Sequence, residues 1–134
     1  MNLIQLLNED LSLEYANAIQ YLQHSNMVKG LYAAFKDELE DHYEDELKHA
    51  KMLNERIIIL GGVPIVSVSQ MFTASDSVAM IQQDLAGESV AIERYTERIT
   101  QAHDMADYGT AHILKNILVD EQGHKNDLET ILDE

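Results

Sequence analysis

Two stretches decide the fold between them: DHYEDELKHAKML, residues 41–53, and LVDEQGHKNDL, residues 118–128. Each holds a Glu-x-x-His pair, Glu46 with His49 and Glu121 with His124. In an α-helix a spacing of three puts both side chains on one face, about one turn apart. Upstream of each pair lies a helical stretch with a single glutamate in a largely apolar stripe. Glu14 stands 32 residues before Glu46, and Glu88 stands 33 before Glu121. A tyrosine follows each of these glutamates by seven positions, Tyr21 and Tyr95. A charged group on a core-facing stripe is costly unless it is paired or bound to metal. Four glutamates and two histidines converging inside four helices make a dinuclear metal site.

The rest of the chain reads as the frame for that convergence. Leu3, Leu7, Leu11, Glu14, Ala18, Tyr21 and Val28 recur at spacings of three to four, which predicts a first helix over 2–29. Gly30 breaks it, and the short link from Leu31 to Ala34 suits an antiparallel hairpin. A second helix is expected from Phe35 to Leu60, stopped by Gly61, Gly62 and the only proline, Pro64. Its run Ile57-Ile58-Ile59-Leu60 cannot all face one bundle, so part of it should meet the crossover or a second subunit. Residues 63–75, VPIVSVSQMFTAS, alternate like a strand but have nothing to pair with. We read them as an extended crossover covering the bundle with Val66, Val68 and Phe72. The third helix should start after Ser75 or Ser77, either able to cap it, and carry Ile81, Leu85, Glu88, Ile92, Tyr95 and Ile99 inward. A turn near His103–Gly109 leads to a fourth helix with Ala111, Leu114, Ile117, Glu121, His124, Leu128 and Ile131. The expected fold is all-α: one domain over 1–134, an antiparallel four-helix bundle of hairpins 2–60 and 76–132, joined by a long crossover at 61–75.

Composition bounds the function. The 134 residues carry 24 acids against 9 Lys and Arg, a formal charge of −15. Such a surface repels nucleic acid and draws cations, although acids that merely aid solubility look the same. The absence of cysteine removes thiolate metal sites, disulfides and cysteine nucleophiles, and fits a cytoplasmic protein. No apolar run reaches the roughly 18 residues a bilayer crossing takes, and the start, MNLIQLLNEDL, lacks a basic signal segment.

Carboxylate oxygen with imidazole nitrogen suits iron, manganese or zinc. Glu46 and Glu121, each with a histidine on its own helix, are the candidates to bridge two ions. Glu14 and Glu88 are then terminal ligands, with His49 and His124 respectively or crosswise. Metal-bound histidines hand their second N–H to an acceptor, a role open to Asp45, Asp120 and Asp84, more naturally across the bundle than along one helix. Tyr21 and Tyr95 are candidates to hydrogen-bond the ligand carboxylates. Among the remaining histidines, His42, one turn before Glu46, and His24, one turn after Tyr21, stand out as an auxiliary metal path.

The segments LSLEYANAIQYLQH, DELKHAKMLNERI, QQDLAGE and VDEQGHKNDLE, in this order and spacing, resemble the ferritin-like di-iron superfamily, bacterioferritin most closely. The resemblance implies Glu14, Glu46, His49, Glu88, Glu121 and His124 as the catalytic ligands of two Fe ions per chain. It also implies oxidation of Fe(II) by dioxygen or hydrogen peroxide and, in many members, storage of ferric mineral in a hollow shell. Bacterioferritins place a haem-ligating methionine directly after the second-helix glutamate. Leu47 stands there in this chain, so no haem is expected. Shell-forming relatives continue into a fifth helix, whereas ten residues follow His124 here. The extra carboxylate of rubrerythrins, three residues after the third-helix glutamate, is replaced by Ala91.

The expected function is therefore a ferroxidase serving iron storage or detoxification, as a homo-oligomer of at least two chains. The competing readings are a di-iron or di-manganese oxidase or peroxidase that stores nothing, and a non-enzymatic acidic scaffold.

Overall fold

The computed structural model describes residues 2–133. Four long helices carry the chain: α1 (Leu3–Met27), α2 (Lys36–Ile59), α3 (Ser77–Asp104) and α4 (Tyr108–Leu132), with a short 3₁₀ helix, Gly30–Phe35, between α1 and α2. The molecule is all-α, and no β-strand occurs among the described residues.

Local chemistry sets the helix ends. At α1 a reciprocal capping box links Asn2 and Gln5, so two of the orphan N–H groups of the first turn are satisfied. At α2 the exit is a Schellman turn, with the Gly61 N–H bonded to Ile58 O and the Gly62 N–H to Ile57 O. Gly61 takes φ +88°, a left-handed geometry that glycine adopts without penalty. A β-carbon on Gly62 would lie 2.5 Å from Ile4 Cγ2, so the backbone passes against α1 only because no side chain is there. The cap of α3 is Asp76, whose carboxylate accepts from the Ala79 N–H. This corrects the expectation of Ser75 or Ser77: the aspartate lies between them and is the stronger acceptor.

Cross-links fix the directions of the helices. Residues 63–77 run along α1 in its own direction. Asn8 bonds both Val63 O and the Ile65 N–H, Ser12 O takes the Ser69 N–H, Gln20 takes the Phe72 N–H, and the Lys29 N–H meets Ser77. Helix α3 then returns antiparallel to α1, as the pairs Gln20–Asp84 and Asp10–Arg98 show. Helix α4 runs antiparallel to both α2 and α3, with Arg56 on Thr110 near one end and His42 near Asp127 at the other. The result is two antiparallel hairpins joined by one long crossover.

The crossover departs from expectation in how it is attached. Val66, Val68 and Phe72 are exposed, Val66 by 96%. Ile65 alone of this stretch's large apolar side chains packs on the core. The segment is held by polar bonds from α1, so its alternation reflects an extended chain and not a buried face. Of the run at the end of α2, Ile57 is fully buried, Leu60 packs partly on the core, and Ile58 and Ile59 face outward.

The core falls in two parts on either side of the bundle's middle. One is built on Leu3, Leu7, Leu11, Leu53, Ile57, Leu114 and Ile117, the other on Tyr21, Leu39, Ile81, Leu128 and Ile131. Between them the interior is polar.

Candidate metal centre

That polar interior is made by the inward stripes of all four helices. Glu14 on α1, Glu46 and His49 on α2, Glu88 on α3, and Glu121 and His124 on α4 are each at most 4% exposed. Each sits where the helical period puts an apolar residue in neighbouring turns, so the folding that buries Leu11 or Leu53 buries the acids as well. Two sets of donors form within this group. Glu14, Glu46, His49 and Glu121 offer ligand atoms within 4.8 Å of one another, as do Glu46, Glu88, Glu121 and His124. Glu46 and Glu121 belong to both sets, while Glu14 groups with His49 and Glu88 with His124. His49 Nδ1 lies 3.6 Å from Glu14 and Glu46 and 3.3 Å from Glu121. His124 Nδ1 lies 3.1 Å from Glu46 and Glu88 and 3.3 Å from Glu121.

The atoms facing the middle lack partners. Glu14 Oε2, both carboxylate oxygens of Glu46 and of Glu121, Glu88 Oε1 and His49 Nδ1 are buried without a hydrogen bond. Buried lone pairs pointing at one another are costly, and cations between them remove that cost. Burial, then Glu121 and the other glutamates, pushes Glu46 well above the usual carboxylate range; burial with Glu121 does the same to Glu88 and raises Glu14. Glu121 goes the other way: burial alone would raise it, but the imidazoles of His124 and His49, each 3.3 Å away, hold it low. Both histidines resist the lowering effect of burial and are driven up by the surrounding carboxylates. Without metal, the raised histidines and the raised Glu14, Glu46 and Glu88 all favour protons at the centre.

The outer nitrogens are oriented across the bundle. His49 Nε2 donates to Asp120 at 2.8 Å, and His124 Nε2 donates to Asp45 at 2.9 Å. Each aspartate serves the histidine of the opposite helix, which leaves both Nδ1 atoms turned inward. The Tyr95 hydroxyl donates to Glu14 Oε1 at 2.5 Å. Tyr21 differs from its counterpart: its hydroxyl has no partner, and its ring stands edge-on to His42 and His124. Asp84 also lies elsewhere than expected. It takes hydrogen bonds from His24 Nδ1 at 2.9 Å and from Gln20, and touches no histidine of the centre.

Three polar features have partners that the spacing did not give. Arg98 and Asp10 form a buried bidentate pair, at 2.8 and 3.2 Å, one helical turn from Glu14. His24 with Asp84 makes a second buried pair. His42, 3% exposed, stacks on His124 with ring centroids 4.1 Å apart. Arg98 and Asp84 both fall on the inward stripe of α3, which was a signal available in the helical period but masked by their charge.

Overlapping Glu/His sets on four antiparallel helices define a class: the bundle holds a buried dinuclear metal-binding site suited to oxidoreductase chemistry. The comparisons with known proteins agree. The ferritin-like domain model matches residues 4–134, and the chain belongs to the ferritin-like family, among its bacterioferritins. Bacterioferritin of Brucella melitensis is 33% identical over 133 residues, covering 97% of this chain and 82% of that protein. Bacterioferritin of Streptomyces coelicolor is also 33% identical, over 97% of this chain and 79% of its own. A solved structure of a ferritin-like, diiron-carboxylate protein from Bacillus anthracis superposes with a TM-score of 0.93 at 33% identity, covering 97% of this chain and 94% of that one. At the haem-ligand position of bacterioferritins, Leu47 is 41% exposed, while Met52 is partly buried against the core.

No helix among the described residues is long and apolar enough to cross a membrane.

Proposed function

We propose that this chain is a ferroxidase that takes Fe(II) as substrate at the intrabundle centre and serves iron storage or detoxification. The observation that carries the reading is the sharing of Glu46 and Glu121 between two donor sets. In this assignment Glu46 and Glu121 bridge, Glu14 with His49 holds one ion, and Glu88 with His124 holds the other. Two Fe(II) together supply two electrons, which reduce dioxygen to hydrogen peroxide or hydrogen peroxide to water.

The protein's part is to select, hold and neutralise. Four carboxylates balance four positive charges of two divalent ions, and the two neutral imidazoles add nitrogen donors that favour iron over magnesium or calcium. Asp45 and Asp120 keep each imidazole's proton on Nε2, so Nδ1 presents its lone pair to the metal. Tyr95 fixes one oxygen of Glu14 and leaves the other free to bind. Manganese and zinc fit the same donors and are expected to compete.

The outward-facing Ile58, Ile59 and Val66 support a homo-oligomer of at least two chains, and the cysteine-free composition supports a cytoplasmic setting. The test is Fe(II) oxidation in air, followed by the iron retained after desalting. Rapid oxidation lost in E121Q supports the ferroxidase reading, and oxidation no faster in the wild type than in E121Q refutes it. Iron retained far beyond two per chain supports storage. A plateau at two turns the reading to an oxidase or peroxidase that stores none.

A further inference from the structure

Beyond the dinuclear centre, three more potential ligands meet at the far end of the α2–α4 seam. Glu38, His42 and Asp127 offer ligand atoms within 4.8 Å of one another. His42 Nε2 lies 3.2 Å from Asp127 Oδ2, and its ring is stacked on His124, a member of the dinuclear group. This set is therefore the neighbour of the centre along the bundle and shares no residue with it.

Four observations separate this cluster from ordinary surface acids. First, its histidine is 3% exposed, while the two carboxylates are half-buried. Secondly, among the described residues no lysine or arginine pairs with Glu38 or Asp127; the one ion-pair partner is His42, on Asp127. The two acids thus face each other without a compensating cation, and burial together with the Asp127 and Asp41 charges raises Glu38 above the ordinary carboxylate range. Thirdly, His42 Nδ1 is buried with no partner, so the ring has hydrogen-bonding capacity that the protein leaves unused. Fourthly, a depression of about 320 Å³ lined by Phe35, Glu38, Asn126, Asp127, Thr130 and Ile131 opens onto the same carboxylates. An ion from solvent reaches Glu38 and Asp127 there, and His42 Nε2 lies 3.2 Å from the Asp127 carboxylate.

We propose that Glu38, His42 and Asp127 form a third, mononuclear site for a divalent transition-metal ion, opening to solvent and backed by the dinuclear centre. Two carboxylates and one imidazole suit the same metals as the centre, with water completing the shell. With the rest of the coordination left to water and two ligands half-exposed, the site should bind more weakly than the centre, as suits an ion in passage. Its position makes it a holding point for substrate, which rests on the ferroxidase reading. Binding itself does not.

The experiment is Zn(II) binding to the full chain, by equilibrium dialysis and by anomalous scattering from crystals soaked in Zn(II), with D127N and E38Q compared with wild type. Zinc neither oxidises nor mineralises, so ions are counted without turnover. The proposal expects three ions in wild type, the third between Glu38, His42 and Asp127. In both variants its affinity falls by more than about tenfold while the inner pair remains. Saturation at two, or a third ion lying elsewhere, overturns the third site. An ion at Glu38, His42 and Asp127 with none between Glu46 and Glu121 would uphold it and sink the dinuclear reading, so the two failures are told apart.

Discussion

At the scale of single residues, the centre trades stability for binding. Glu46 and Glu121 are fully buried with neither oxygen partnered, and repel Glu14 and Glu88. Replacing Glu46 by glutamine removes the cost of burying an ionisable carboxyl among other carboxylates, at nearly constant shape. Thermal melts of metal-free protein should show E46Q more stable than wild type, while dialysis shows metal binding lost; E46Q less stable than wild type would contradict this. For D45N and D120N the expectation differs. The bundle survives, and metal affinity falls by about 10- to 100-fold, because each variant releases the orientation of one histidine. The pH dependence follows from directions already given. His49 and His124 keep their protons in the folded, metal-free state above the pH at which the unfolded chain loses them, and Glu46 and Glu88 resist ionisation when folded. Folding thus binds protons, and the stability of the metal-free protein falls as pH rises from about 6 towards 8. Metal affinity runs the opposite way, since cations displace those protons, and loading in unbuffered solution should acidify it. The six inner residues were visible in the sequence because a 3.6-residue period and the Glu-x-x-His spacing specify direction. Asp84 and Tyr21 were misjudged because spacing gives the face of a helix but not the partner across it: His24 reaches Asp84 first, and no acceptor lies opposite Tyr21.

At the scale of elements, the buried Asp10–Arg98 pair links α1 to α3. Removing one partner strands the other charge, so R98M or D10L should cost about 3–5 kcal/mol by denaturant unfolding. The double variant D10L/R98M should recover most of that loss, since apolar replacements of similar size need no partner. The turn after α2 gives a second case. G62A drives a β-carbon to 2.5 Å from Ile4 Cγ2 and should lower stability by about 1–3 kcal/mol, partly restored when Ile4 is shortened to alanine. Helix existence and the hairpin order were legible because apolar stripes, Gly30, Gly61 and Pro64 mark them locally. The crossover was legible as well, but its attachment was not, because its contacts are backbone hydrogen bonds to Asn8, Ser12 and Gln20, which no pattern within residues 63–75 announces.

For the whole molecule, stability and metal are linked. A ligand bound only by the folded state adds about 2.7 kcal/mol per site at a hundredfold excess over its dissociation constant. Removing metal by chelation should lower the melting temperature, and the drop should vanish in E46Q. The acidic surface, −15 overall, should speed Fe(II) capture at low ionic strength and slow it in salt. The most direct measurement is rapid-mixing absorbance of Fe(III) formation when protein loaded anaerobically with Fe(II) meets oxygenated buffer. The dinuclear centre predicts a fast phase that consumes two Fe(II) per chain, one for each donor set, and that is absent from both E46Q and E121Q. A fast phase surviving in those variants, or a wild type no faster than free Fe(II), would contradict it.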